Sequence, residues 1–284
     1  MSARSMFIVA LAFIVLAVAG PFAPGWITSL ATVAFANGLV VLGLVILWRA
    51  GLVPFGQALF YGVGAYTVAL IGKFTGVHDV FVLVVAGAIA AGIVAYVVGF
   101  LLARYRDIFF AMLSLAMSMI LYGVLVKTES LGSTDGFNVP AGTYFGYAPQ
   151  GEAHDLALYW LVLVFCALAA VVVAIYFESV AGVLAAPVRD NEIRVEFLGL
   201  SVNRLVHLKL VIAGVLAGLG GALSALVVEH VDPNMAYWTT SGGFVFVTIL
   251  AGAGSVAAAF VGSFLFELVR SIAVDIFPGA WQIT

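Results

Sequence analysis

The sequence has little charge. Of its 284 residues only 9% are Asp, Glu, Lys or Arg, while 64% are hydrophobic; soluble chains carry about 25% charged residues. A soluble fold of this length could not cover its surface with so few charges. Cysteine is nearly absent too. Cys166 is the only one and lies in an apolar run, which excludes an internal disulfide and a Cys-based zinc site. The net charge of -3 gives no basic footprint for a nucleic-acid partner. Disorder, a collagen repeat and a coiled coil are equally excluded by composition.

Catalytic motifs are missing as well. No GxxxxGKS/T loop occurs, since Gly72-Lys73 is followed by Phe74 without the upstream glycine. ATP hydrolysis by that machinery is therefore excluded. His78, His154, His207 and His230 are scattered over different loops and span ends, and no HExxH, GxSxG or Cys–His arrangement appears. The chain reads as a non-enzyme with no metal site and no cofactor of its own.

Long apolar runs dominate what is present. A helix needs about 20 apolar residues to cross a hydrocarbon core of about 30 Å. Such runs occur at 6–22, 27–48, 52–72, 80–103, 108–127, 157–177, 207–228 and 241–269. They are apolar on most faces, as lipid-embedded helices are. Alternating segments of a β-barrel are absent. The expectation is an all-α polytopic transmembrane bundle of about eight spans, up to ten, forming one domain over 1–284. The first run follows Arg4 as a signal peptide would, but Pro21 and Pro24 stand where a small-residue cleavage site would be, so it reads as a retained helix.

Alternating sides from a cytoplasmic N-terminus puts Arg4, Arg49, Arg104, Arg106, Arg189, Arg194, Arg204, Lys209 and Arg270 inside. Only Lys73 and Lys127 fall outside. Nine of the 11 basic residues on one side satisfies the positive-inside rule. The loop at about 128–156 is then periplasmic, and the loop at about 178–206 cytoplasmic. The last run is the least regular: LAGAGS at 250–255 puts two glycines and a serine in its middle. It reads either as one tilted helix with a small-residue contact or as a hairpin broken around a cavity.

Carboxylates within spans are costly and functional by default. By these boundaries Glu178, Glu229, Asp232 and Glu267 all sit at span ends, Glu267 three residues before Arg270 and able to pair with it. No acid is expected mid-span, which weakens an ion-driven mechanism. The deep polar residues are neutral: Asn37, Gln57, Ser114, Ser118 and Tyr66. They suit interhelical hydrogen bonds or the lining of a weakly binding passage.

Three stretches together resemble one family. They are GLVPFGQALFYGVGAY at 51–66, IFFAMLSLAMSMIL at 108–121 followed by GSTDGFNVP at 132–140, and VRDNEIRVEFLGLSVNRLVHLKLVIAGVLAGLGGALSAL at 188–226. In that order they resemble the permease subunits of branched-chain amino acid ABC importers, the LivM type of the LivH/LivM family, over about 37–282. The resemblance implies a permease of the bacterial inner membrane without its own ATPase, passing branched-chain amino acids or a related small solute such as urea, a short amide or an aromatic acid. It implies four kinds of company: a second homologous permease, two cytoplasmic ATP-binding subunits, a periplasmic solute-binding protein and membrane lipid. Pro54 and Gln57 stand where the family commonly has Ser and His, and Ala251 and Ala253 depart from its GGLGS. Relatives usually continue through a further hydrophobic segment, of which 271–284, with Trp281, would be the start. The residues alone leave an ion-coupled secondary transporter as the alternative.

Two groups of candidate residues follow. For the passage they are Gln57 with Gly56 and Gly64 on its helix, and Asn37, Ser114 and Ser118. For coupling, Arg189, Asp190, Asn191, Glu192, Arg194 and Glu196 place six polar residues in eight positions. Pro187 can open a helix there and Gly199 can close it in a left-handed cap. In one continuous helix, Asp190/Arg194 and Glu192/Glu196 would share a charged face, and Ile193/Phe197 a parallel apolar one. By resemblance this helix docks on the ATPase, with Phe197 as its apolar anchor.

Overall fold

A computed structural model describes residues 3–252 and 254–276, with side chains from 11 onward apart from that of Asp275. Ala253 and 277–284, including Trp281, lie outside the described residues, as does the side chain of Arg4. The long helices are α1 (Ala3–Ala19), α2 (Gly25–Trp48), α3 (Gln57–Thr75), α4 (Val80–Leu102), α5 (Asp107–Lys127) and α6 (Glu152–Glu178). Three short helices follow, α7 (Val180–Val183), α8 (Ala185–Asp190) and α9 (Glu192–Phe197), and then α10 (Val202–Val228), α11 (Trp238–Ala251) and α12 (Val256–Ile276). Among the described residues seven of these are long and apolar enough to cross a membrane, and α1 and α11 are shorter apolar helices. The polytopic helical bundle is as expected.

Helix α10 is the centre, packed by α2, α3 and α4; α2 in turn meets α6 and α12. Nearly every residue of α2 from Ala34 to Leu47 is buried. Small residues permit this crowding. A Cβ on Gly64 would sit 2.1 Å from the Gly218 carbonyl oxygen, and one on Gly221 would sit 2.0 Å from that of Tyr61. With no hydrophobic drive between helices in lipid, such backbone approach is what association rests on. The outer wall is the reverse: Val82, Val85, Ile89 and Ile93 form an exposed stripe along α4. Helix α1 rests on α6, where the Tyr159 hydroxyl donates to the Leu16 carbonyl at 2.9 Å and the Trp160 indole N–H to that of Ala17 at 3.1 Å.

The structure decides the open alternative at 241–269 and changes several other expectations. The run at 52–72 is not one helix. α2 ends in a turn at Gly51, whose φ is +76°, the chain turns back inward through Pro54, and α3 begins only at Gln57. Residues 241–269 are broken. Gly252 takes φ +75° and ψ 151°, a conformation that side chains resist, and the Ser255 hydroxyl caps α12 by accepting from the Ala258 N–H at 3.2 Å. Glu267 is consequently not at a span end: it is the twelfth of the 21 residues of α12. Arg270, three residues on, likewise lies within α12 and not in a loop. Lys209, counted on the cytoplasmic side at a span end, is not exposed there. It is fully buried on α10.

The loop after α5 is tied down. Phe137–Asn138 pair antiparallel with His230–Val231. Asp79 caps α4 by accepting from the N–H groups of Phe81 and Val82, and its other oxygen accepts from the Phe145 N–H at 2.9 Å. Tyr144 is enclosed in the same loop, and burial pushes its phenol up to about 12.

Candidate functional site

Two helices start inside the bundle, and the reason is local. Pro54 supplies no N–H, and the next donor, the Phe55 N–H, is met by the Ser114 hydroxyl at 3.0 Å. Ser114 lies eighth in α5, so Gly56 and Gln57 lie well below the surface. Gly56 packs so tightly on the Ser114 backbone that a Cβ would come within 2.0 Å of its carbonyl oxygen. After α10 the chain re-enters through a 3-10 turn at Pro233–Ala236. The Ser118 hydroxyl, mid-way along α5, donates to the Ala236 carbonyl at 2.7 Å and holds that turn at depth. Helix α11 starts there, and at 14 residues it spans only about 21 Å. The two N-termini meet: the Ala58 N–H donates to the Ser241 hydroxyl at 2.8 Å.

Gln57 is wholly buried at this junction, its amide donating to the Ala213 carbonyl of α10 at 3.0 Å. Gly56, Ser114 and Ser118 share that junction, whereas Gly64 seals α3 against α10. Asn37 is elsewhere. Thirteenth of the 24 residues of α2, it donates from its amide to a Glu267 carboxylate oxygen at 3.0 Å. Glu267 faces Arg270 at 3.8 Å. Both line a pocket between α2, α11 and α12. The sequence reading has Glu267 and Arg270 as an i,i+3 pair at a span end; the pairing is found, but the helix break moves it into the span and beside Asn37.

The segment 188–199 falls in two helices, not one. Asn191 takes an extended conformation (φ -163°, ψ 97°), and its side chain accepts from the Arg194 N–H at 3.1 Å, capping α9. Asp190 therefore closes α8, pairing with Arg189 at 3.4 Å, and shares no helical face with Arg194. Gly199 does take the left-handed conformation, φ +82°. Glu192 turns inward to Arg106, whose guanidinium also donates to Asn203 and to the Ala103 and Tyr105 carbonyls. Val188 and Val195 are buried beneath, while Ile193, Phe197 and Leu198 project, Phe197 at 86% exposure. Lys209 anchors the near end of the loop from below, donating to the Tyr176 hydroxyl at 2.9 Å and the Ala181 carbonyl at 2.8 Å. Arg49 lies over the Phe177 ring at 3.8 Å and donates to the Gly254 carbonyl at 2.8 Å.

The sequence model of one family, described as branched-chain amino acid transport system / permease component, matches residues 26–282. The chain belongs to this family. Two curated relatives carry the printed name high-affinity branched-chain amino acid transport system permease protein LivM. That of Escherichia coli (strain K12) is 28% identical over 296 residues, covering 96% of this chain and 69% of the relative. That of Salmonella typhimurium (strain LT2) is 27% identical over 291 residues, covering 93% and 68%. No solved structure matches the chain significantly. A permease component of this family is the membrane part of an ABC importer, which favours that function over an ion-coupled secondary transporter.

Proposed function

We propose that this chain forms the passage for branched-chain amino acids in an importer of the bacterial inner membrane, assembled with a second homologous permease, two cytoplasmic ATP-binding subunits and a periplasmic solute-binding protein. ATP is used by those partners, and the chain itself needs no cofactor. The carrying observation is the cytoplasmic knuckle of α8 and α9. Three large apolar side chains, Ile193, Phe197 and Leu198, stand in water on a base fixed by Arg106–Glu192 and by the buried Lys209. Apolar anchors on a pinned base suit a protein groove. Arg189, Asp190, Arg194 and Glu196 ring them with charges of both signs, which would set register in that groove. Asn191 and Gly199 shape the two turns, and Glu192 serves the base.

Helix α6 leads into this knuckle and α10 leaves it, so movement of a docked ATPase would reach the bundle's central helix directly. The junction of Gly56, Gln57, Ser114 and Ser118, with Gly64 above it, forms the hinge-like wall of the passage, and Asn37 lies on its open side.

The test is reconstitution in liposomes. Uptake of leucine is expected only with ATP, the ATP-binding subunits and the binding protein together. Sodium- or proton-driven flux by this chain alone overturns the reading. Arg194→Glu with Phe197→Ser, which spares the Arg106–Glu192 pair, is expected to abolish uptake while the chain still reaches normal membrane abundance. A cysteine at 197 is expected to crosslink to an ATP-binding subunit.

A further inference from the structure

Glu267 and Arg270 are out of place for a structural ion pair. By residue count both lie within the α12 span, Glu267 at its middle. A charged side chain at that depth costs about 2.5–3.5 kcal/mol on the insertion scale. A pair kept for stability would be expected to be closed off and tightly bonded. Here the contact is a long 3.8 Å, the Arg270 side chain is 53% exposed and that of Glu267 14%. The side-chain oxygen of Asn37 is buried without a partner. Facing lipid, this arrangement would be expensive. It is tolerable only where the assembled transporter places water or solute against it.

The pocket before these charges holds about 250 Å³, room for roughly eight waters at liquid density. Thr239 and Thr240, in the first turn of α11, line it beside Arg270. That helix begins deep in the bundle and has no side-chain cap on its first N–H groups, so its positive end adds to the Arg270 charge. Opposite charges therefore stand side by side: Arg270 with the α11 N-terminus, and Glu267 steadied by Asn37. Val41, Phe244 and Val247 supply an apolar wall.

We propose that this pocket is a midplane station for a zwitterionic α-amino acid, its carboxylate taken by Arg270 and the first turn of α11, its ammonium group by Glu267, and its apolar side chain by the Val41–Phe244 wall. The site is balanced in charge, so a simple anion or cation is repelled by one half, and urea or a neutral amide gains little from separated charges. The contacts are few and open, as a station that must release its solute requires. This rests on the reading of the chain as an amino-acid permease and names where the solute pauses.

The experiment uses the whole reconstituted transporter. Glu267→Gln keeps the shape and the bond from Asn37, and Arg270→Gln removes the opposite charge. Each is expected to lower leucine uptake at least tenfold, with complex abundance and binding-protein-stimulated ATP hydrolysis within twofold of the parent. A second readout leaves both charges intact. Thr239→Cys is expected to be shielded from maleimide by millimolar leucine, but not by leucinamide, which lacks the carboxylate, nor by 4-methylpentanoate, which lacks the amine. If a charge variant fails to accumulate, this shielding decides alone. Leucine transport that survives both charge changes, or shielding by all three compounds alike, overturns the station and leaves the permease reading standing. A parent complex that carries no leucine fails the permease reading instead.

Discussion

Single hydroxyls carry much of the irregular backbone. Ser241 satisfies the Ala58 N–H in the first turn of α3, and Ser118 satisfies the last carbonyl of the re-entrant turn. Leaving a buried partner unmet costs about 1–3 kcal/mol. Ser241→Ala and Ser118→Ala are each expected to lower the melting temperature in detergent, whereas Ser255→Ala, at the exposed α12 cap, is expected to cost less. Glycines can be ranked the same way. Gly56→Ala and Gly64→Ala must displace backbone and are expected to reduce abundance severely, while Gly123→Ala meets nothing within 4 Å and is expected to be neutral or stabilising. Gln57→Leu separates two roles for that side chain. Near-normal transport with lowered stability makes it wall; lost transport at normal abundance makes it passage. Gln57, Ser118, Gly56 and Gly64 stood out in the sequence because they were polar or glycine in an apolar chain, whereas Ser241 did not. Their partners did not, because Ala58, Ala213 and Ala236 contribute only backbone.

At the level of elements, the left-handed turn at Gly199 was legible in the sequence and is found after α9. The Asp79 cap of α4 emerges only in the structure. The charge periodicity of 188–199 suggested one helix through Asn191, whereas the structure has Asn191 as the N-cap of α9. A cap beats an exposed i,i+4 pair, about 1 kcal/mol against a few tenths. Asn191→Ala is accordingly expected to fray α9, seen as faster amide exchange across 192–197, without altering α8. Lys209 shows the opposite limit. A lysine in an apolar run reads as a span end, yet its stem runs along the core and its ammonium group reaches Tyr176 and Ala181. Lys209→Met leaves both acceptors unmet, so the expected result is a stability loss of about 2 kcal/mol with faster exchange across 179–183.

Topology is a property of the whole chain, and it turns on four residues. If 241–269 were one helix, 252–255 would lie near the middle of the bilayer and Arg270 would emerge in the cytoplasm. The break reverses this. Arg49, just past the C-terminus of α2, donates to the carbonyl of Gly254, so the α11–α12 turn shares the side of Arg49. With that side cytoplasmic, α12 is expected to run outward, carrying Glu267 to the middle of the membrane and Arg270 into its outer half. The positive-inside count barely changes, and for that reason composition alone could not find the break. Cysteine labelling can, because the native Cys166 is fully buried against the Phe35 carbonyl and gives little background. Cysteines at Asp135 and Val274 are expected to react with an impermeant maleimide added outside intact cells. Those at Arg189 and Ser255 are expected to react only after the membrane is opened. If the cysteine at Ser255 resists reagent from both sides, the turn is buried in the bilayer, α12 does not cross as described, and the midplane position of Glu267 falls with it.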